Sequence, residues 1–314
     1  MATRLLSIGL TTLDIVGRPI DTIPKKGGTT LIDAIVVIPA GTAGGMALVA
    51  AKLGLSTAIA SAVGDDGAGR FVRQEFERAG VDTSLLHTRT DKPTSTTILA
   101  IRSDGERPNF HALGASLFAE ADHATMTAAC AAKFVHYAGI GGVKLNGGPG
   151  AALIAAAKVA GATVTCDLIG PGARTMAELE TILPYVDYFM PNMDEAQFLA
   201  GTQNPRAAAE RFLRMGARHC IFKWGARGAY VATRDTETVV PAHRIDAIDT
   251  TSCGDSYCAG FVAALDRGFE LLDACRFAGA TAALVAQAPG TLGKLADFET
   301  TLRYQQETPL REAG

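Results

Sequence analysis

Short apolar runs and amphipathic stretches alternate along most of this chain. Leu5–Gly9 and Thr57–Ala62 are compact apolar runs that predict buried strands, and Met46–Leu53, closed by Gly54, predicts a helix between them. Phe71–Ala79 carries its apolar residues at helical spacing and stops at Gly80, a residue suited to a helix end. Phe134–Tyr137 predicts the next strand, and Pro149 opens an alanine-rich helix that runs to Ala160. The unit then repeats. Strands at Thr163–Leu168, Val186–Met190 and His219–Lys223 are separated by two helices, one capped by Asn192 and ended by Gly201, the other running from Arg206 to Met215 before Gly216. Such alternation predicts an α/β fold with a doubly wound, mostly parallel sheet and helices on both faces.

Two stretches break the alternation. Gly17–Val37 and Thr94–Phe110 are β-rich with no helix between strands, and the second contains Asp104-Gly105, a hairpin turn signal. They predict a small β-rich lid over the carboxyl ends of the parallel strands, where open α/β sheets bind ligands. No Pro- or Ser-rich linker divides the sequence, so residues 1–314 read as one domain with lid segments at about 17–37 and 94–110. Ala34–Ala51 is uncharged and as long as a membrane span, but Pro39, Gly41, Gly44 and Gly45 interrupt it, which predicts strand, loop and buried helix.

Composition narrows the function. The 314 residues are 48% apolar and 19% charged, enough for a sizeable core. Lys+Arg 29 against Asp+Glu 32 leaves a net charge of −3, which offers no field for nucleic acid or an anionic membrane. Aromatic residues are 6% with Trp224 the single tryptophan, so a base-stacking platform is excluded as well. The six cysteines form no CxxC pair, which speaks against a zinc site or disulfide frame and for a reducing, cytoplasmic setting. The apolar N-terminal run lacks a cleavage-site pattern and reads as a first strand.

The sharpest chemical signal is Asp249-Thr250-Thr251-Ser252-Cys253-Gly254-Asp255. It follows a strand-like segment, residues 244–248, and precedes a helix that runs to about Arg267. A helix start offers free N–H groups and a positive dipole end, which suits a phosphoryl group, and Asp255 on the first turn can take a proton from an attacking hydroxyl. Alone, a Gly-Asp start reads equally well as a helix cap. Asn192 and Glu195, three apart, either hold a hydrated Mg²⁺ beside a nucleotide or form a capping box. Lys223 at a strand end either neutralises a phosphate or is simply solvated. Gly225 and Gly228 allow backbone to approach a nucleotide, or make a tight turn. Asp14 could bind hydroxyls or cap its loop. Rival motifs fail: Gly293-Lys294-Leu295 is no P-loop, Lys144 spoils the dinucleotide fingerprint begun at Gly139, and neither HExxH nor GxSxG occurs.

In order along the chain, these segments resemble the ribokinase-like (PfkB) carbohydrate kinase family. Residues 249–255 are similar to its C-terminal signature, usually Asp-Thr-x-Gly-Ala-Gly-Asp, with both aspartates and Gly254 kept but Ser252 and Cys253 in place of the first Gly and the Ala. Ala40–Gly45 resembles the N-terminal signature, usually Gly-Gly-x-x-x-Asn, with Gly45 at the Asn position. Val63–Gly69, Pro191–Glu195 and Lys223–Ala229 match further family turns. The resemblance implies an ATP-dependent kinase that phosphorylates a hydroxyl of a small sugar or sugar acid. A nucleoside kinase of the same fold and a non-catalytic ligand-binding relative are the alternatives.

It further implies Asp255 as the catalytic base, and an anion hole built from the backbone of Ser252, Cys253 and Gly254. Substrate contacts fall at Asp14, Gly41 and Gly45, and nucleotide contacts at Asn192, Lys223, Gly225 and Gly228. Glu195 would hold Mg²⁺ through water, and Asp249 and Thr251 a K⁺ ion. Adenine would lie between the Gly225–Gly228 loop and Ala278–Gly290, and the lid strands would pair in a homodimer. Cys253 departs from the family's alanine, and at a helix start its thiol is either activated toward thiolate or packed as a small hydrophobe.

Overall fold

A computed structural model describes residues 3–141 and 150–311. The chain begins with β1 (Leu5–Gly9), β2 (Thr12–Arg18) and β3 (Ala34–Ala40), followed by α1 (Thr42–Lys52), β4 (Thr57–Gly64) and α2 (Gly67–Arg78). Next come β5 (Leu86–Arg89), β6 (Thr96–Ala100), β7 (Asn109–Ala112), α3 (His123–Ala131) and β8 (Phe134–Ile140). Then follow α4 (Gly150–Val159), β9 (Thr163–Leu168), α5 (Thr175–Ile182), β10 (Tyr188–Phe189), α6 (Met193–Ala200) and α7 (Pro205–Arg214). The last part holds β11 (His219–Lys223), β12 (Ala229–Ala232), β13 (Glu237–Val240), α8 (Cys253–Asp266), α9 (Leu271–Val285) and α10 (Phe298–Glu307). The helix expected after Pro149 is α4, whereas Pro149 itself and the part of the Gly139–Lys144 motif beyond Gly141 lie outside the described residues.

The large sheet has strand order β13-β12-β11-β10-β9-β8-β1-β4-β5. Strands β11, β10, β9, β8, β1, β4 and β5 are parallel, whereas β12 and β13 form an antiparallel edge. Side chains alternate across it as the pleat requires. Leu5 and Phe134 join a core with α1, α8, α9 and α10 on one face, and Leu6 and Val135 join a second core with α3 to α7 on the other. Burial on both faces is why the central strands read as unbroken apolar runs. The expected doubly wound α/β architecture is therefore the one observed.

The second sheet is four-stranded, ordered β3-β2-β6-β7. It differs from the sequence expectation in its bounds. Strands β2 and β3 bracket the 17–37 stretch rather than fill it, and residues 19–33 between them form no strand. The missed part, Thr12–Val16, reads as loop from sequence because only two residues separate it from the end of β1. The β6–β7 hairpin turns through Gly105 at φ 88°, as Asp104-Gly105 predicted. Residues 244–248 are a correction: they form no strand, and their backbone is held at its two ends, by the bond from the Arg244 N–H to the Pro309 carbonyl beside the His243–Leu310 bridge and by the bond from the Ile248 N–H to the Ala286 carbonyl. Among the described residues no helix is long and apolar enough to cross a membrane, and all six cysteines are free.

Candidate active site

The parallel strands end at a cavity of about 740 Å³. Its walls come from β9, β11, the starts of α6 and α8, the 225–228 turn, α9 and the β6–β7 loop. The position follows from topology, because all these strands point the same way and each βα connection opens at that end. Of the residues singled out from sequence, Asn192, Glu195, Lys223, Gly225, Gly228, Cys253, Gly254 and Asp255 line the cavity. Asp14, Gly41, Gly45, Asp249, Thr251 and Ser252 do not line it, although several lie directly behind it.

Asp255 stands in the first turn of α8. Burial pushes its carboxyl well above the ordinary carboxylate range, the Lys223 ammonium opposes that, and Asp167 and Asp14 raise it further. A carboxylate held this way is a stronger base once ionised. The turn before it has Ser252 at φ 57° and ψ 6°, a left-handed conformation that glycine adopts freely and serine does not. The Gly-to-Ser departure is thus accommodated with local strain. Cys253 Sγ lies 3.9 Å from the Asp249 carbonyl and 3.7 Å from that of Ala282, and burial pushes its thiol up to about 12. That environment fits a packed, protonated thiol and not an activated thiolate.

Lys223 does not project into solvent. Its ammonium pairs with Asp167 at the end of β9 and lies 3.8 Å from Cys258 Sγ; burial alone would lower its pKa, but Asp167, Cys258 and Asp255 together outweigh that and raise it. Sequence reasoning missed Asp167, and the available signal was one carboxylate closing an otherwise apolar strand. It also missed Arg107, carried into the cavity by the β6–β7 loop, where its charge draws the Asp255 carboxyl down. Nothing local in the sequence marks Arg107, since only the pairing of β6 with β2 brings that loop over the site.

Asn192 and Glu195 form a full capping box: Asn192 Oδ1 accepts the Glu195 N–H at 2.8 Å, and Glu195 Oε2 accepts the Asn192 N–H at 3.0 Å. Burial, with Asp167 adding to it, holds the Glu195 carboxyl at about 7. Among the described residues no group of three or more His, Cys, Asp or Glu could enclose a metal. This donor set fits a hydrated Mg²⁺ bound through waters to one carboxylate, not a closed metal cage.

The glycines divide by their surroundings. A Cβ built on Gly225 or Gly279 would meet nothing within 4 Å, so both leave cavity wall open to a flat ring. On Gly228 (φ 96°) it would stand 2.0 Å from the Val240 carbonyl oxygen, so that glycine permits the close approach of β13. Gly41 likewise serves packing, since its Cβ would fall 2.7 Å from the Leu10 carbonyl oxygen. Asp14 lies within β2, where Thr12 Oγ1 donates to it at 2.7 Å and burial raises its pKa. Behind α8, Asp249 accepts N–H bonds of 2.8 Å from both Thr251 and Gly290, while Thr251 Oγ1 is buried without a partner.

Residues 2–297 match the family model for pfkB family carbohydrate kinases. The chain belongs to this family. Its members are phosphotransferases, and this chain is one of the ribokinase-like sugar and nucleoside kinases. A ribokinase of Staphylococcus aureus is 26% identical, with 80% of this chain and 82% of that protein covered. A nucleoside kinase of Methanothermobacter thermautotrophicus is 27% identical, with 93% of this chain and 92% of that protein covered. The PfkB fold is equally clear in the structure of a putative ribokinase II from E. coli in complex with ATP and Mg²⁺. It superposes with a TM-score of 0.84 at 20% identity, over 97% of this chain and 99% of the other.

Proposed function

We propose that this PfkB kinase transfers the γ-phosphoryl group of ATP to a hydroxyl of a small sugar or sugar acid. The observation that carries the reading is Asp255, a carboxyl with a raised pKa at the free N–H end of α8, facing the same cavity as Lys223 and the open wall at Gly225 and Gly279. The acceptor oxygen attacks the γ-phosphorus, the bond to the ADP oxygen breaks, and the hydroxyl proton passes to Asp255. Backbone N–H groups of Ser252, Cys253 and Gly254 face the transferring group, and Asn192, Lys223, Gly225 and Gly228 border the nucleotide. Catalysis of this type is positioning and electrostatics.

Mg²⁺, held through water by Glu195, supplies charge neutralisation to the phosphates. The unpartnered Thr251 hydroxyl beside Asp249 supports a K⁺ site behind the anion hole. Asp14, Gly41 and Gly45 border the acceptor, and the small sheet closes over it as a lid that excludes water.

The test is ADP release with ribose, fructose, 2-keto-3-deoxygluconate and adenosine, run in K⁺ and in Na⁺ at equal ionic strength. A sugar should be preferred and K⁺ should raise the rate. Asp255→Asn should lower kcat by about 10²–10⁴, the usual worth of a general base. Near-normal turnover in that folded variant overturns the reading, and preference for adenosine selects the nucleoside kinase alternative. A homodimer is also proposed: Val37, Ile15, Ile98 and Phe110 sit in one row across the small sheet, and Val37, Ile98 and Phe110 are 43%, 50% and 63% exposed. Light scattering should return twice 32.6 kDa; a value equal to 32.6 kDa refutes the dimer.

A further inference from the structure

Two departures from the resembled family signatures, Gly45 and Ser252, are far apart in sequence but meet in space. A Cβ built on Gly45 would stand 3.1 Å from Asp255 Oδ2, 3.4 Å from Asp255 Cβ and 3.5 Å from Ser252 Oγ. The bare face of Gly45, on α1, is therefore covered by the carboxylate and the serine hydroxyl together. A side chain at 45 would press on the Asp255 carboxylate, which would have to give by a few tenths of an ångström, with the serine hydroxyl at contact distance beside it. Ser252 holds its place in a left-handed conformation at φ 57°, where a glycine would be unstrained, and its side chain makes no capping hydrogen bond to α8. Strain retained at a reaction centre, with a hydroxyl that serves no local bond, needs a reason beyond the turn.

The geometry points to Ser252 as the acceptor-recognition residue of this kinase, its hydroxyl binding a second hydroxyl of the polyol beside the one Asp255 deprotonates, next to the bare face of Gly45. The two positions form one coupled device. An amide at 45 would reach into this space from α1, whereas the serine enters it from the anion-hole turn. The polar contact thus arrives from the phosphoryl side and favours a compact acceptor with neighbouring hydroxyls. Oγ of Ser252 both donates and accepts, so it serves a sugar hydroxyl in either sense.

This inference rests on the kinase reading of the site, and two measurements keep them separate. The first is steady-state kinetics of Ser252→Gly, which suits the observed backbone, and Ser252→Ala, which keeps the Cβ. Both should raise acceptor KM about three- to tenfold, the effect of one neutral hydrogen bond, and leave the KM for ATP unchanged. Unchanged acceptor KM in both variants, with turnover lost in Asp255→Asn, overturns the Ser252 role and leaves the kinase reading standing. A parallel rise in the KM for ATP overturns it too, because it marks a general disturbance of the anion-hole turn. The second measurement is thermal unfolding without substrate. Gly45→Asn should lower Tm, and Gly45→Asn with Ser252→Gly should recover part of the loss, the rest being the contact with Asp255. Simple additivity of the two changes overturns the coupling whatever the chemistry of the site.

Discussion

Replacing Asp167 by Asn would strand a buried charge. The Lys223 side chain is 12% exposed and that of Asp167 is 5% exposed, so both members of the pair are withdrawn from water. In Asp167→Asn the ammonium keeps only an amide oxygen, the Cys258 thiol at 3.8 Å and the field of Asp255. Removing one partner of a buried pair costs about 3–5 kcal/mol. Asp255 remains as a partial replacement, which places the expected loss near the lower end, about 3 kcal/mol. Deleting both charges in Asp167→Asn with Lys223→Met should bring stability back to within about 1 kcal/mol of wild type, since two desolvation penalties vanish with one attraction. Urea unfolding of the four proteins reads this directly, provided the m-value is constant. A loss below about 0.5 kcal/mol in Asp167→Asn, or a double variant as unstable as the two singles summed, would refute the charge-pair account.

Glu178 offers a pH prediction away from the cavity's phosphate side. It is 3% exposed, accepts from Tyr137 Oη at 3.3 Å and the Gly141 N–H at 3.1 Å, and burial raises its pKa from 4.5 to about 7. The folded state therefore holds a proton that the unfolded chain releases between those values. Stability should fall as pH rises from 4.5 to 7, by about 3 kcal/mol from this group, and level off above. Glu178→Gln should remove that slope, and urea midpoints at pH 5, 6, 7 and 8 compare the two; parallel curves would disprove the shift. Gly228→Ala should cost about 3 kcal/mol and raise the KM for ATP, because its Cβ would meet the Val240 carbonyl at 2.0 Å. Gly225→Ala at φ 52°, with open space around it, should cost about 1 kcal/mol, so equal Tm losses in the two would contradict the packing difference.

The α/β architecture was legible in the sequence because its signals are local. Apolar runs such as Thr163–Leu168, capping residues such as Asn192 and stop glycines such as Gly201 act within one turn or strand, and each element formed where they stand. The turn from Asp249 to Asp255 was legible for the same reason, since seven consecutive residues carry both the backbone proposed to bind the anion and the carboxylate. Strands β12 and β13, at the antiparallel edge, were not foreseen. Neither were the bounds of the small sheet, because β2 is recognised as a strand only through its pairing with β3 and β6.

Only tertiary structure decided which polar residues share a site. Asp167, Lys223 and Asp255 come from β9, β11 and α8, and parallel pairing brings their ends together across long sequence gaps. Burial then sets their chemistry. The same desolvation holds the Asp255 carboxyl high and pushes the Cys253 thiol up, against the activation that its place at a helix start left open. Gly45 and Ser252 make the point most sharply. In sequence each is a separate departure from a motif, whereas in space the bare face of Gly45 lies against the Asp255 carboxylate and the Ser252 hydroxyl, a relation that depends on the packing of α1 against α8 and the turn before it.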